Sequence, residues 1–297
     1  MSLDYLMTCD VEEHSIEKNT LDDGVIDLVH NQGIPRLIAL FGKHNIKATF
    51  FFTGYYAEKS PESLQHVKDQ GHEVGCHSFS HSPALALDRL NFLEQYKEII
   101  KAKKTIEKIV GPIESFRAPA LRINKYTFEA LIIAGFKYDS SLCPRRFDGP
   151  LSSGFLDKLR WLSAREGVHE ITSNLLPNKS LLEVPISANI LPYIGTLSRI
   201  SPELVDILRP IVFKRSKRFS LPVVFDTHPN ECIDIKEKPI TTRRSKNWFR
   251  YLFSDIIRHK LKLKNLGENA IILLEKEILE AKKYGFKFKT VNQMSMK

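Results

Sequence analysis

Two of the chain's ten histidines stand four apart in "HSFSH", as His77 and His81. On one helical turn both imidazoles would point the same way and could grip a single metal ion. A catalytic metal takes three protein ligands and keeps further positions for water and substrate. The pair therefore needs a third partner, and "CDVEEHS" (Cys9 to Ser15) offers carboxylates. Residues two apart in an extended segment share a face. Asp10, Glu12 and His14 then lie on one side, Val11 and Glu13 on the other. Two carboxylates at one place can divide the work, one holding a metal and the other taking a proton from water. The residues leave open which does which, and whether His14 is a ligand, a substrate contact or the start of a loop.

Later positions add to this set. Arg117 in "ESFRAP" and Asp139 in "FKYDSS" are candidates for orienting charge. An arginine beside Asp10 would hold and aim that carboxylate, although either residue could equally belong to a structural ion pair. "LPVVFDTHPNE" ends in Asp226, His228 and Glu231. His228 follows an apolar run and is placed either to give a proton to a leaving group or to cap and pack.

The elements that must position these groups follow from periodicity. Strand-like runs cover Leu3 to Asp10, Lys47 to Gly54, His72 to Ser78, Glu114 to Pro119, Phe136 to Ser141, Leu181 to Ser187 and Leu221 to Pro229. Helical patterns cover Ile34 to Asn45, Ser60 to Gly71, Asp88 to Val110 and Asn124 to Gly135, and another begins near Ser201. This alternation predicts an α/β fold, a parallel sheet or α/β barrel. In such barrels the active site is built at the C-terminal ends of several strands, where Asp10, Glu12, His77, Arg117, Asp139, Asp226 and His228 all fall. The chain reads as one domain over 1–297, with an irregular insertion at about 145–180 and a closing helix and strand at about 268–291.

Composition narrows the classes. Of the 297 residues 42% are hydrophobic, with four scattered cysteines and a net charge of +9. No apolar run approaches the ~18 residues of a membrane span. The N-terminus shows no basic-then-apolar leader, so a cytoplasmic location is expected. Cys9, Cys76, Cys143 and Cys232 form no C-x-x-C pair, which excludes a zinc ribbon. The positive charge gathers at Arg209 to Arg218, Thr241 to Arg250 and Arg258 to Lys264, without the aromatic interleaving of a nucleic-acid binder. Nucleic acid is therefore not expected as a partner. Peripheral contact with an anionic membrane surface, or with a phosphorylated substrate, fits the clusters.

The ordered motifs resemble the NodB-type polysaccharide deacetylases, carbohydrate esterase family 4, in an Asp-x-Glu variant branch. Thr8-Cys9-Asp10-Val11-Glu12 looks like the first motif, His77-Ser78 with His81 the second, Arg117 with Pro119 the third, Asp139 the fourth and His228 the fifth. The resemblance covers roughly Leu3 to Glu231. It implies a distorted (β/α) barrel of about seven repeats and metal-dependent removal of an N-acetyl group from a sugar. By the same resemblance Asp10 is the general base, Glu12, His77 and His81 hold the metal (zinc), and His228 is the general acid. Asp139 would orient His228, Arg117 would hold Asp10, Ser78 would lock the turn, and a backbone N–H near Ala120 would help bind the oxyanion. Two positions depart from the family. Ala120 replaces an aromatic residue and Asp226 a leucine, both at the acyl pocket, while Glu231 stands near the mouth. With His14, these are the candidate substrate contacts. The reading is a cytosolic deacetylase acting on an N-acylated sugar, linked to a nucleotide or lipid diphosphate, for a surface polysaccharide. The altered pocket keeps a deformylase or other C–N amide hydrolase as the alternative, and a non-catalytic glycan-binding relative is the third.

Overall fold

The computed structural model describes residues 3–147, 161–234, 248 and 251–295. One curled, mostly parallel sheet organises them. Its strands are β1 (Leu3–Val11), β2 (Thr49–Phe52), β3 (Glu73–Cys76), β4 (Ser115–Phe116), β5 (Tyr138–Asp139), β6 (His169–Thr172), β7 (Ser180–Glu183), β8 (Val223–Thr227) and β9 (Phe286–Lys289). The spatial order is β8-β1-β2-β3-β4-β5-β7-β6. β9 pairs with the first half of β1 and β2 with the second. Every neighbouring pair is parallel except β6–β7. The seven parallel strands from β8 to β7 curl until their ends meet. Ser187, just past β7, donates its backbone N–H to Val224 O at 3.0 Å, and its Oγ accepts from Val224 N at 3.0 Å.

The strands are near-continuous apolar runs because both sheet faces are covered. "TFFF" in β2 shows the two-residue period at work. Phe50 and Phe52 pack outward under the helices, while Phe51 points into the barrel with Leu6, Val184 and Val224. Gly75 in β3 makes room for that inward ring, since a Cβ there would lie 2.6 Å from Phe51 Cδ1. Burying each such side chain contributes about 1.5–3 kcal/mol, and truncating Phe51 to alanine would cost about 3–5 kcal/mol.

The helices that cover the sheet are α1 (Gly24–Leu28), α2 (Ile34–Lys43), α3 (Gly54–Lys59), α4 (Pro61–Asp69), α5 (Phe92–Val110), α6 (Thr127–Ile133), α7 (Gly195–Ile200), α8 (Pro202–Phe219), α9 (Arg258–Lys262) and α10 (Glu268–Lys283). α2 buries Ile34, Leu37, Ile38, Leu40 and Phe41, one stripe at helical spacing. α5 starts later than the periodicity predicts. Leu87–Arg89 form a separate 3₁₀ turn, and the capping box of Asn91 and Glu94 fixes the true start. Gly111, at φ 76°, ends it.

The region about 145–180 differs from its reading as irregular. Residues 148–160 lie outside the described residues, but β6 within it extends the main sheet, antiparallel to β7. No helix among the described residues is long and apolar enough to cross a membrane. Of the basic clusters, Arg209 is buried against Glu277 and Arg215 pairs with Glu166. Thr241 to Arg250 lies outside the described residues apart from Trp248.

Candidate active site

A cavity of about 310 Å³ opens at the C-terminal ends of the strands, lined among others by Asp10, Glu12, His77, His81, Ala120, Asp226 and His228. The sheet brings these groups together because apolar runs carry each strand through the core and release a polar residue at the rim. All four cysteines are free and buried. Burial and the carboxylates of Asp226 and Asp10 raise the Cys9 thiol well above its ordinary range, which suits packing rather than reactivity.

Glu12, His77 and His81 place one ligand atom each within 4.8 Å of one another. His77 Nδ1 lies 2.8 Å from Arg117 O, so it carries the proton, and Nε2 is left with a lone pair toward the cavity. Burial pulls this imidazole down to about 4, so it is neutral, as a ligand must be. Glu12 Oε2 stands 2.8 Å from His81 Nε2, yet the contact is not aligned as a hydrogen bond and the oxygen has no hydrogen-bond partner. Burial alone would raise Glu12, but His81, His228 and His14 outweigh it and hold the carboxyl well below its usual range. A buried, orphaned carboxylate oxygen beside two imidazoles fits a divalent cation.

His77 and His81 do not sit on a helix. They follow β3 in an irregular turn, where Ser78 adopts φ 61°. The ring centroids are 5.8 Å apart. Ser78 shapes this turn through its backbone, because its hydroxyl is buried without a partner. Glu13 fixes the turn from behind. It is buried, accepts the Thr53 hydroxyl at 2.9 Å and receives the His81 backbone N–H at 3.4 Å. Burial raises its pKa. His14 lies outside the ligand cluster. Its ring centroid is 6.5 Å from that of His81, and its carbonyl accepts from Asn230 Nδ2.

A second group, Asp10, Asp226 and His228, is equally compact. Here a cation is already installed. Arg117 Nη1 lies 2.9 Å from Asp10 Oδ1, 2.7 Å from Asp226 Oδ1 and 2.8 Å from Thr8 Oγ1. Its remaining nitrogens bind Ser140, and its guanidinium covers the Phe51 ring at 4.5 Å. Burial and the charge of Asp10 raise Asp226, the replacement that the sequence places at the acyl pocket. Burial would pull His228 down, but Asp226, Glu231, Glu12 and Asp10 outweigh it and raise the imidazole. A raised imidazole held by carboxylates is suited to giving a proton.

Two expected roles change. Asp139 does not meet His228. It accepts the Ser141 hydroxyl at 2.6 Å and faces Glu183 and Arg117 deep in the sheet, where burial raises both carboxyls and each raises or shares with the other. Glu231 is not at the mouth. It is buried behind His228, with Oε1 3.9 Å from His228 Nδ1, and is held by Arg199 Nη2 at 2.9 Å and by the Thr196 hydroxyl. Although burial opposes it, Arg199 and His228 hold Glu231 down to about 2. Glu231 therefore stands where Asp139 was expected, next to His228. Ala120 does line the cavity. It and Leu121 both have positive φ, 51° and 54°, a costly turn that brings the backbone to the site.

Arg199 and Glu183 escaped sequence reasoning, while Arg258 and Lys262, read as part of the basic run Arg258 to Lys264, line the cavity. Glu183 had a visible signal, a lone acid inside the apolar run "LLEVPIS"; Arg199 had none, since its partners are distant in the chain.

Residues 18–138 match the polysaccharide deacetylase family. That span includes His77, His81 and Arg117, while Asp10, Glu12, Asp139 and His228 lie outside it. A peptidoglycan deacetylase of Helicobacter pylori is 34% identical over 116 residues, 39% of this chain and 39% of that one. A peptidoglycan-N-acetylglucosamine deacetylase of Bacillus cereus is 36% identical over 100 residues, 34% of each chain. The matched part thus spans well under half of these relatives. A solved Mycobacterium smegmatis structure, described only provisionally as a polysaccharide deacetylase, aligns over 99% of this chain and 96% of its own. Its TM-score is 0.54 at 16% identity, which establishes the α/β half-barrel fold.

Proposed function

We propose that this chain, which matches the polysaccharide deacetylase family over residues 18–138, hydrolyses the N-acetyl group of an amino sugar with the help of a divalent metal. One observation carries the reading. A three-ligand cluster and an arginine-held carboxylate with a raised histidine share one cavity. Glu12, His77 and His81 would hold the metal, which we assign as zinc. When bound, it supplies a Lewis acid that polarises the amide carbonyl and makes water a better nucleophile.

The chain's own groups do the rest. Asp10, aimed by Arg117, takes the proton of the attacking water. His228, raised by Asp226 and Glu231 against its burial, gives a proton to the departing amine. The turn at Ala120 brings backbone to the reacting carbonyl. The relatives named above act on peptidoglycan by their names; for this chain we propose an intermediate of surface-polysaccharide synthesis on the cytoplasmic side, carried on a nucleotide or lipid diphosphate.

The test is acetate release from N-acetylglucosamine oligomers, with N-formyl analogues in parallel. Acetate release should stop on chelation and return with zinc. Formate release alone would turn the reading to a deformylase, and no release from any N-acyl sugar would end it.

A further inference from the structure

The peptide joining Arg117 to Ala118 is held from both sides. Its carbonyl accepts the Nδ1–H of His77 at 2.8 Å, and His77 Nε2 then faces Glu12 Oε2 at 4.0 Å. Its N–H donates to Ser141 Oγ at 2.9 Å. The Ser141 hydroxyl donates in turn to Asp139 Oδ1 at 2.6 Å. A hydroxyl has one proton, so accepting from Ala118 and giving to Asp139 fixes its direction. Three bonds thus lead from an acid sealed in the sheet to an imidazole of the ligand cluster.

Asp139 is itself half of a pair. β5 and β7 run parallel with Asp139 opposite Glu183 in register, and both side chains are fully buried. One oxygen of each carboxyl accepts a hydrogen bond, Asp139 Oδ1 from Ser141 and Glu183 Oε1 from the Leu142 backbone N–H at 3.0 Å. The other two oxygens, Asp139 Oδ2 and Glu183 Oε2, have no donor among the described residues. Arg117 is the cation that acts on both acids, but its bonds go to Asp10, Asp226, Thr8 and Ser140. Burial raises both carboxyls, and the charge of Asp139 raises Glu183 further. Two ionised carboxylates side by side away from water repel each other, and one proton between their free oxygens relieves both.

We propose that Asp139 and Glu183 share one proton, and that this pair anchors a hydrogen-bond chain through Ser141 and the Arg117–Ala118 peptide that positions His77 as a metal ligand. This rests on the reading of Glu12, His77 and His81 as the ligands. Asp139, Glu183 and Ser141 are positioning residues. A peptide whose N–H is bonded becomes a stronger acceptor at its carbonyl, so each link of the chain supports the next. The last link keeps the His77 proton on Nδ1 and the ring turned toward Glu12 and His81. The acid at the end of β5 thereby serves the ligand cluster rather than His228.

The experiment joins spectroscopy to zinc titration of the full chain. Glu13, Glu73 and Asp226 are also raised, so the acid band is read as an infrared difference between wild type and variant. Glu183→Gln should remove a protonated-carboxyl band that shifts in heavy water, while zinc affinity stays within about threefold, because the amide still donates to Asp139. Ser141→Ala cuts the chain without touching either acid. It should keep that band, weaken zinc binding about tenfold or more, and move the Nδ1–H resonance of isotope-labelled His77 upfield. The resonance is assigned by its loss in His77→Gln. An acid band that persists in both Glu183→Gln and Asp139→Asn overturns the shared proton. Zinc affinity and a His77 resonance unchanged in Ser141→Ala overturn the chain. Acetate release by wild type is scored separately. Release with a chain that does not affect zinc leaves the deacetylase reading and removes this one. Chain-dependent zinc binding without release from any N-acyl sugar does the reverse.

Discussion

Glu12–His77–His81 and Asp10–Asp226–His228 are built from the same kinds of side chain, are equally compact and share one cavity. They differ in what stands among them. The first group has no fixed cation: His77 is neutral, and Glu12 faces only the titratable imidazole of His81 at 2.8 Å within the cluster. The second is threaded by the guanidinium of Arg117, bonded to both carboxylates. A metal ion in the second group would sit against a fixed positive charge that already satisfies its oxygens. Ligand type and spacing therefore do not define a metal centre by themselves. The neighbour's charge decides whether a cluster binds an ion or moves protons.

The strongest way to break this comparison is His77→Ala. It should abolish both metal content and acetate release, whereas Asp10→Asn should keep the metal and lower kcat by about 10²–10⁴-fold. Elemental analysis of both variants checks the contrast, and equal metal loss in the two would sink it. Arg117→Met comes next, because it leaves two buried carboxylates without their counter-charge. Removing one partner of a buried pair costs about 3–5 kcal/mol, to be read from the urea midpoint. An unchanged midpoint would mean that Arg117 is not the cation of the second group.

The smallest effect concerns pH. Asp226 helps to raise His228, and a general acid works only while protonated. Activity therefore falls as pH rises through the imidazole's pKa. In Asp226→Asn that pKa drops, so the alkaline limb of kcat/KM should move to lower pH while the metal stays bound. A limb that does not move would assign it to another group. Glu231→Gln should shift it the same way, and Asp139→Asn should not, since Asp139 faces Arg117 and Glu183 instead.

Much of this architecture is legible in the chain. The strands show as apolar runs, and Asp10, Glu12, His77, Arg117 and His228 stand out because each ends one. What fails is local geometry and distant pairing. The i, i+4 spacing of His77 and His81 suggests a helix, yet Ser78 takes a positive φ and Pro83 follows, so the segment turns instead. Asp139 sits at a strand end like the others, but β5 is only two residues long and its carboxylate is sealed beneath the site. Glu231 looks like a loop acid in sequence and is buried only because Arg199, itself inconspicuous, reaches it. Lys262 reads as one lysine in a basic run, and its direction is set by contacts from Arg199 and His259.

The central place of β1 has a consequence for how the molecule comes into being. The residues that would grip an ion, Glu12 to His81, leave the ribosome before β8, and β1, β2 and β3 can pair as they appear. The other flank of β1 must wait, since Thr8 and its partner Asp226 are 218 positions apart. Until β8 is synthesised, one edge of a nine-residue apolar strand stays open, a stage at which nascent chains are prone to mispair. In the order of birth, Asp10 and the cluster of Glu12, His77 and His81 come first, and Asp226 and His228 join them only when β8 is laid down.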